Sequence, residues 1–487
     1  MAQLPRDRAG ALTNRAAGAA AGAGDGDRLS LAPPAPVTGV LATLIGHDHE
    51  AAIVGGSLRD VLLGLEPADW DVATSAPPET VHRLFPGSTW QNRFGTVTVR
   101  GDPDVQVTTY RSESGYSDRR RPDRVEWGTS LDEDLERRDF TINALAWLPD
   151  GTAPSDAEQL PGTLRDPWGG AADLRAGTLR AVGDPDRRFE EDALRLLRAV
   201  RFATRFGLTL EASTEAAIRR HAGLAANLSG ERVRDEMMVW LRSEDPPPSR
   251  YVVLAESLGL LASALPELAA LRGVPQAKAL PGDALDHSLR TVDALPATDP
   301  MLRLAGLLHD LGKATTLKDG HFYGHEQVGA QLAARALERL RLPRDEVARI
   351  CGLIRQHMFA YDASWTDAAV RRFVKRVTRE QLPGLFALRR ADNLASGASE
   401  PRSGGLDELA ARIANEDRAP LDHAALAIDG HDLMEALDLR PGPQVGRLLD
   451  ELLERVIEDP GLNQRQRLLD LAAELRDAPT LTERTGH

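Results

Sequence analysis

The sequence predicts an α+β multidomain protein, in which a small mixed β-sheet with helices comes first and mostly α-helical regions follow. Two observations carry this prediction. Residues 51–111 contain short apolar or alternating runs separated by Gly and Pro, a pattern typical of strands and turns. From about residue 181 onward, apolar residues recur at helical spacing. PPPS at 246–249 and LRGVPQAK at 271–278 each mark a break between helices, and a domain boundary is predicted near 273–286.

The amino-acid composition limits which classes of protein this chain can belong to. With 42% hydrophobic residues in 487, the chain can build two to four domains with cores of their own. It has no apolar run long enough for a membrane span, so we expect no membrane partner. The single cysteine, Cys351, rules out an internal disulfide, and a cytoplasmic location follows as the default. A net charge of −14 disfavours a general nucleic-acid binder but leaves room for a local basic surface.

Three segments have little to bury. Residues 1–36 are rich in Ala and Gly, lack the apolar region of a signal peptide, and read as a disordered tail. Residues 112–126 are polar and interrupted by Gly and Pro, which predicts a mobile loop. The last dozen residues are predicted to fray.

The pair Gly55-Gly56 ends a short apolar run and begins a predicted helix over 57–63. Without Cβ atoms the backbone can turn tightly there. Such a turn points backbone N–H groups at whatever lies in front, and phosphate is the natural occupant. Arg59, in the first helical turn, could add a bidentate clamp on that phosphate. A glycine pair alone is weak support, because most such pairs are merely turns.

Asp69-Trp70-Asp71 leads into the next predicted strand. Residues two apart on a strand project from one face, so the two carboxylates lie side by side while Trp70 points into the core. Adjacent carboxylates repel unless a cation lies between them, and hard oxygen ligands beside a phosphate site suit Mg²⁺. We therefore expect Asp69 and Asp71 to hold Mg²⁺ for phosphoryl or nucleotidyl transfer. An isolated D-x-D would more often be a solvated loop; its place after GGSLRD favours the metal site.

The segment LERRDFTINALAW contains Arg138, Asp139 and Asn143. If it is helical, Asp139 and Asn143 lie one turn apart on one face. A carboxylate and an amide together can hydrogen-bond a ribose, and Arg138 can reach phosphate. The alternative is a structural helix cap.

A predicted helix over 191–206 carries a charged stripe, with Asp192 at its margin. Either the stripe is a salt-bridged exposed face, or it reads the bases of incoming nucleotides. The stripe consists of Glu191, Arg195, Arg198, Arg201 and Arg205.

Together GGSLRD, DWDVAT, RRDFTINA, EDALR and LSGERVRDEM resemble the motifs of the polymerase-β-like nucleotidyltransferases of class II, the bacterial tRNA CCA-adding enzymes and poly(A) polymerases. The resemblance implies that Asp69 and Asp71 bind the catalytic metals, and that RRDFTINA recognises the sugar and supports the nucleotide. Where the family often has a third carboxylate, this chain has Gln106, so a third metal ligand is in doubt. Glu231 and Arg232, in LSGERVRDEM, are expected to brace the template helix rather than touch substrate.

EDALR resembles the family's base template, which assigns Asp192 and Arg195 to base selection, with Glu191 orienting them and Arg198 on the same stripe. Cytosine and adenine both offer an exocyclic amine beside a ring-nitrogen acceptor. An aspartate accepting from the amine and an arginine donating to the ring nitrogen would admit C and A and reject G and U. Each buried group left unpaired by a wrong base costs about 1–3 kcal/mol.

Further along, HDLGK resembles the HD superfamily of metal-dependent phosphohydrolases, and an upstream histidine, predicted to begin a helix, matches as well. Imidazole and carboxylate ligands suit a divalent ion that activates water against a phosphate ester. Whether such a site is active or persists as a scaffold stays open. The expected ligands are His287, His309, Asp310 and Asp392, with His325 and His357 as further candidates.

The predicted order is a tail (1–36), a nucleotidyltransferase head (37–180), a helical neck and body (181–275), an HD domain (276–400) and a helical C-terminal region (401–487). The expected reaction is Mg²⁺-dependent addition or repair of the tRNA 3′-terminal CCA from CTP and ATP, with release of pyrophosphate. A poly(A) polymerase, an HD phosphohydrolase acting on RNA ends or nucleotides, and a non-catalytic RNA-binding protein are the alternatives. Oligomeric state, and full against partial CCA addition, cannot be read from the sequence.

Overall fold

The computed structural model describes residues 28–91, 95–114, 124–127, 130–151, 159–276, 278–397, 401–416 and 421–477. The chain divides between Pro266 and Glu267 into two compact units. The division lies a few residues before the break predicted near 273–286. In the described part of the chain, no helix combines the length and the apolar character that crossing a membrane requires.

The first unit is built around one mixed sheet with strand order β1-β10-β9-β2-β3-β6-β5-β4. Its neighbours pair antiparallel except β3 and β6, which run parallel. Two small sheets pair β7 with β8 and β11 with β12. The strands are β1 (Arg28–Leu31), β2 (Ala51–Val54), β3 (Trp70–Thr74), β4 (Thr89–Gln91), β5 (Thr96–Val99), β6 (Val105–Thr109), β7 (Arg111–Ser114), β8 (Arg124–Trp127), β9 (Ala146–Pro149), β10 (Leu160–Arg165), β11 (Thr178–Leu179) and β12 (Thr209–Leu210).

The middle of this sheet is its core. Strand β2 is an unbroken apolar run, and all its residues are buried between β9 and β3. Helices alternate with the strands at first and then form most of the rest of the unit, as the spacing of apolar residues predicted. The helices are α1 (Ala35–Ile45), α2 (Gly56–Leu62), α3 (Pro78–Leu84), α4 (Leu131–Glu136), α5 (Gly170–Ala176), α6 (Pro185–Glu191), α7 (Leu194–Phe206), α8 (Ala212–His221), α9 (Gly230–Leu241), α10 (Pro248–Ser257) and α11 (Leu260–Ala264).

The second unit is helical apart from a short antiparallel hairpin of β13 (Leu317–Lys318) and β14 (His321–Phe322). A helix α12 (Pro266–Ala269) stands at the junction. The others are α13 (Ala284–Asp293), α14 (Pro300–Leu308), α15 (Lys313–Thr316), α16 (His325–Arg339), α17 (Arg344–Gln356), α18 (Asp367–Val377), α19 (Leu382–Ala395), α20 (Pro401–Asn415), α21 (Gly430–Leu437), α22 (Pro443–Glu458) and α23 (Arg465–Asp477). The predicted α+β multidomain class, with a mixed-sheet head and helical remainder, is confirmed.

The predicted boundaries of the polar segments need correction. β1 and the start of α1 lie within the segment expected to be a disordered tail, because Leu31 is buried at the edge of the main sheet; residues 1–27 lie outside the described residues. The predicted loop over 112–126 is wrong at both ends, where β7 and β8 pair antiparallel. Its central part, 115–123, and the final residues, 478–487, also lie outside the described residues.

Helix predictions failed at three functional positions. The helix predicted over 191–206 is interrupted, since Asp192 is extended (φ −145°, ψ 104°) and its carboxylate accepts a hydrogen bond from the Leu194 backbone N–H at 3.0 Å, which starts a new helix. Asp139 and Asn143 do not share an α-helix; only a 3₁₀ turn at Thr141–Asn143 forms. Helix α13 begins at Ala284, before His287, because Asp283 caps it in a reciprocal capping box.

Candidate functional sites

The turn after β2 requires glycine at Gly55. Its φ is +76°, and a Cβ there would lie 2.6 Å from the Arg138 guanidinium. The Gly55 N–H donates to the carbonyl of Leu145 at 3.0 Å, which ties the turn to the start of β9. A side chain at this position would therefore both strain the backbone and displace Arg138.

Asp71 lies at the centre of the sheet, paired across β2 with Val54, the residue before the Gly55 turn. Asp69 lies just ahead of β3 and is exposed, whereas Trp70 is buried as predicted. Burial and the neighbouring Asp69 raise the pKa of Asp71 to about 6, against an opposing effect of Arg138. The two carboxylates are thus close enough to repel each other, which is the electrostatic setting of a cation site.

Gln106 stands directly beside Asp71 in the parallel register of β3 and β6. It occupies the strand position at which a third carboxylate was considered. Its amide brings no charge, so the acidic pair is Asp69 and Asp71.

Asp139, Asn143 and Arg138 meet even though the segment is not a helix. The Asn143 amide donates to the Asp139 carboxylate at 3.0 Å, and Arg138 donates to the Asn143 carbonyl at 3.3 Å. Arg138 is also held by the carboxylate of Asp134 at 3.2 Å. The expected pairing of a carboxylate with an amide therefore arises from a 3₁₀ turn.

Arg59 is buried, and its guanidinium is engaged by protein groups. It bonds the Asp60 carboxylate at 2.7 Å and donates to the Asn143 side-chain oxygen at 2.7 Å. It also lies 4.6 Å from the ring centroid of Phe206 and 5.3 Å from that of Phe202, both on α7. This arrangement favours Arg59 as a brace for Asn143; a phosphate would have to compete with Asp60 and Asn143 for its donors.

Arg198 connects α7 to the same network. Its guanidinium bonds the Asp139 carboxylate at 2.7 Å. Burial alone would raise the pKa of Asp139, but the charge of Arg198 and hydrogen bonds from Asn143 and Arg198 outweigh it and lower the pKa to about 2. Asp139 is therefore a fixed negative charge that connects the RRDFTINA segment to helix α7.

Asp192 and Arg195 lie on either side of the helix break and have separate partners. Arg232 of α9 grips the Asp192 carboxylate with two bonds of 2.9 and 2.7 Å, which supports the bracing role predicted for Arg232. Arg195 is buried and donates to the Glu191 carboxylate at 2.9 Å and to the carbonyl of Arg137, also at 2.9 Å. The orienting role predicted for Glu191 is consistent with this bond.

One contact in this region was not predicted. Arg201 pairs with Glu236 at 2.6 Å and lies 4.3 Å from the Phe202 ring centroid. Helical spacing placed Arg201 on the charged stripe. Nothing in the sequence indicated that its partner would be Glu236 on helix α9.

The second unit gathers six potential metal ligands into one buried cluster, hereafter the HD cluster. The members are His287, His309, Asp310, His325, His357 and Asp392. His287 Nε2 lies 3.0 Å from Asp392 Oδ1 and 3.2 Å from His309 Nε2, and His309 Nε2 lies 3.2 Å from Asp310 Oδ2. Two groups have ligand atoms close enough to hold an ion: His287 with His309 and Asp392, and His309 with Asp310 and His357. All four residues expected from sequence, and both further candidates, thus come together.

Three of these imidazoles are oriented by backbone carbonyls. His309 Nδ1 donates to the Gly306 carbonyl at 2.8 Å, His357 Nδ1 to the Ile354 carbonyl at 2.7 Å, and His325 Nδ1 to the Phe322 carbonyl at 3.1 Å. Each bond makes Nδ1 the donor, so Nε2 is the ring nitrogen left to contact a metal. Burial, together with neighbouring His309, lowers the pKa of His357 to about 3 and keeps that ring neutral.

The carboxylates and unpaired atoms of the HD cluster also fit a cation. Burial would raise the pKa of Asp310, but His309 and Lys313 hold it well below its usual range. Among the described residues, His287 Nδ1, His325 Nε2 and Asp310 Oδ1 are buried without a hydrogen-bond partner. Imidazole nitrogens and carboxylate oxygens are the donor set of a divalent metal.

Three polar residues beside the HD cluster were missed by sequence reasoning. Lys278 Nζ lies 2.7 Å from His287 Nε2, and Lys313 Nζ lies 2.6 Å from Asp310 Oδ2. Gln276 Oε1 accepts from Lys313 at 2.9 Å. Lys313 stood in the HDLGK motif and could have been included; Gln276 and Lys278 lie in a segment read only as a break.

Comparison with known families agrees with this organisation. Residues 51–180 match the Poly A polymerase head domain, and residues 285–397 match the HD domain. Residues 207–271 match a family described as the probable RNA and SrmB-binding site of polymerase A.

Individual relatives match over most of their length. The chain is 36% identical over 439 residues to the A-adding tRNA nucleotidyltransferase of Deinococcus radiodurans, covering 86% of this chain and 94% of that protein. It is 32% identical over 443 residues to the CCA-adding enzyme of Lactiplantibacillus plantarum, covering 90% and 96%. A solved structure of the Bacillus stearothermophilus CCA-adding enzyme in complex with CTP matches with a TM-score of 0.65 and 29% identity, covering 91% and 98%. The chain therefore belongs to the family of bacterial tRNA nucleotidyltransferases and poly(A) polymerases, and it is a nucleotidyltransferase that carries an HD domain.

Proposed function

We propose that this nucleotidyltransferase builds or repairs the 3′-terminal CCA of tRNA from CTP and ATP, with release of pyrophosphate. The observation that carries the proposal is the placement of Asp69 and Asp71 beside the Gly55 turn and Arg138, where a triphosphate and a 3′ hydroxyl could meet. The choice of tRNA as substrate is supported by the names of the two relatives aligned over most of the chain.

Asp69 and Asp71 would hold Mg²⁺. Their mutual repulsion, which contributes to the raised pKa of Asp71, would be relieved by a cation between them, and carboxylate oxygens suit Mg²⁺. A bound pair of such ions lowers the pKa of the attacking hydroxyl and stabilises charge on the triphosphate. Asp71 pairs with Val54, and Gly55 and Gly56 follow Val54 directly, which would let phosphates approach closely while Arg138 adds positive charge.

The sugar and phosphate contacts would come from the network around Asn143. Asp139 accepts from Asn143 and Arg198, and Arg59 holds the Asn143 amide oxygen. In this arrangement the charge of Arg138 lowers the pKa of Asp71, and Arg59 would act through Asn143. Direct phosphate binding by Arg59 stays a prediction.

Base selection would rest on Asp192 and Arg195. An ionised carboxylate has about four acceptor sites, of which Arg232 and the Leu194 N–H use three, so one remains for an exocyclic amine. Arg195, fixed by Glu191, would donate to the ring nitrogen. Cytosine and adenine satisfy both groups, whereas uracil and guanine do not.

A second possibility is addition of the terminal A alone, because one extensively aligned relative is named an A-adding enzyme. In the deciding experiment, purified protein is incubated with Mg²⁺ and with CTP, ATP or both. The tRNA substrates end before CCA, after C, or after CC. Addition of CCA that then stops supports the proposal. Addition of A only after CC would restrict the enzyme to the last step, and long A tails on many RNAs would indicate a poly(A) polymerase instead.

We also propose that the HD cluster binds a divalent metal and hydrolyses a phosphate ester. The supporting observation is the convergence of oriented imidazoles and buried carboxylates. When bound, the ion would supply an activated water. In the chain itself, His309 would hold the ion together with His287 and Asp392, or together with Asp310 and His357.

This second activity can be separated from the first. An Asp71→Ala protein is expected to lose nucleotide addition yet hydrolyse p-nitrophenyl phosphate with Mn²⁺, and His309→Gln should do the reverse. Loss of both activities in either single variant, with the fold intact by circular dichroism, would refute separate sites.

A further inference from the structure

Lys278 lies on a solvent-facing side of the HD cluster. Its side chain is 20% exposed, whereas those of His287, Asp310 and Asp392 are at most 8% exposed. Its ammonium lies 2.7 Å from His287 Nε2 and 3.4 Å from Asp392 Oδ1. A ligand entering from solvent on this side would meet Lys278 before it meets the imidazoles.

The ammonium lies where a metal would compete with it. His287 and Asp392 belong to one of the groups able to hold an ion, and Lys278 Nζ contacts both. An ion bound to His287 Nε2 would take the Nε2 lone pair that now faces the ammonium of Lys278. Lys278 must therefore turn away when the ion binds, and its charge needs a new partner.

Further donors surround the same site. Lys313 contacts Asp310 at 2.6 Å, and Arg389 contacts Asp392 at 3.1 Å. Gln276, held by Lys313 through its oxygen, has a buried Nε2 without a hydrogen-bond partner among the described residues. Three cations thus already face two carboxylates, and a divalent ion would leave a large positive excess that calls for an anionic ligand.

We propose that Lys278 binds a phosphoryl oxygen of a phosphate ester at the HD cluster, turning to that oxygen when a divalent ion takes His287 and Asp392. The inference rests on the metal centre proposed above. Lys313 and the free Gln276 N–H flank the same anion, and a tetrahedral dianion offers enough acceptors for all three donors. Lys278 thereby couples the binding of the two ligands. Its charge weakens binding of the metal alone and strengthens binding of the metal together with phosphate.

The test measures binding rather than turnover. Full-length protein with Asp71→Ala, which removes the other expected metal site, is titrated with Mn²⁺ by calorimetry with and without inorganic phosphate. Lys278→Met should bind Mn²⁺ alone at least as tightly as its parent, while the affinity of the Mn²⁺-loaded protein for phosphate falls about tenfold. Lys278→Arg keeps the charge and should retain phosphate binding.

Lys375→Met is the matched control, because Lys375 is a lysine of the same unit whose ammonium pairs with Glu454 on helix α22. It should behave as the parent. Unchanged phosphate affinity in Lys278→Met, or a parallel loss of Mn²⁺ and phosphate binding, would overturn the role given to Lys278. The parent should also bind Mn²⁺ at a site that is lost in His309→Gln. If it has no such site, the metal centre itself is refuted, and so is the inference that rests on it.

Discussion

The ion pair between Arg232 and Asp192 allows a test of the proposed role of Asp192 in base selection. The pair joins α9 to the break between α6 and α7 with bonds of 2.9 and 2.7 Å. Arg232→Met removes both donors while keeping most of the side-chain volume. The Asp192 carboxylate would then keep only the hydrogen bond from the Leu194 N–H, and the orientation proposed for reading an incoming base would be less well fixed.

The magnitude follows from burial. Hydrogen bonds to charged groups contribute about 1.5–3 kcal/mol each. The two side chains are 21% and 19% exposed, so solvent screening reduces the value, and we expect about 2 kcal/mol for the pair. If that energy fixes the carboxylate, discrimination between CTP and UTP should fall by up to about 30-fold.

The assay compares kcat/KM for CTP and for UTP on a tRNA lacking CCA, alongside thermal unfolding. Arg232→Lys keeps the charge without the planar fork and should lose part of the discrimination. Arg234→Met is the matched control on the same helix, since Arg234 pairs with its neighbour Asp235. A folded Arg232→Met protein whose CTP preference stays within twofold of the parent would refute the template reading of Asp192.

Four further outcomes are expected. Asp71→Ala should lower nucleotide addition at least about 1,000-fold by removing a metal ligand, with Mn²⁺ binding at the HD cluster unchanged by calorimetry. Arg195→Ala should retain some transfer but incorporate UTP and GTP in a misincorporation assay; unaltered selectivity would contradict its role. Gly55→Ala should abolish addition, because its φ is +76°; full activity would show that the turn tolerates a Cβ. The pKa of Asp139 is lowered to about 2 in the folded protein, so its ion pair stabilises fully above about pH 4 and is lost as the pH falls towards 2. Arg198→Met should therefore flatten the dependence of Tm on pH in that window, and an unchanged slope would argue against the pair.

Much of the head could be predicted because its chemistry is local in sequence. The Gly55 turn and the buried Trp70 follow from residue types and strand alternation, and the structure places both as expected, although Asp69 lies just ahead of the strand. The pairing of Asp71 with Val54 then brings the turn to the carboxylates.

The failures arise where tertiary partners override helical spacing. Asp192 breaks the expected helix because its carboxylate bonds both Leu194 and Arg232, and the latter is forty positions away in sequence. Asp139 and Asn143 still meet, but through a short 3₁₀ turn. The hairpin of β7 and β8 was missed because polar strands give no alternating apolar signal.

The three carbonyl-bound histidines have a consequence for how the second unit could change over time. Each imidazole takes its orientation from a main-chain oxygen three residues earlier, at Gly306, Phe322 and Ile354. Such an anchor survives any side-chain replacement that preserves the local backbone. Substitutions of the carboxylates and lysines around the cluster can thus change which ligands it accepts while the positions of the imidazoles stay constant.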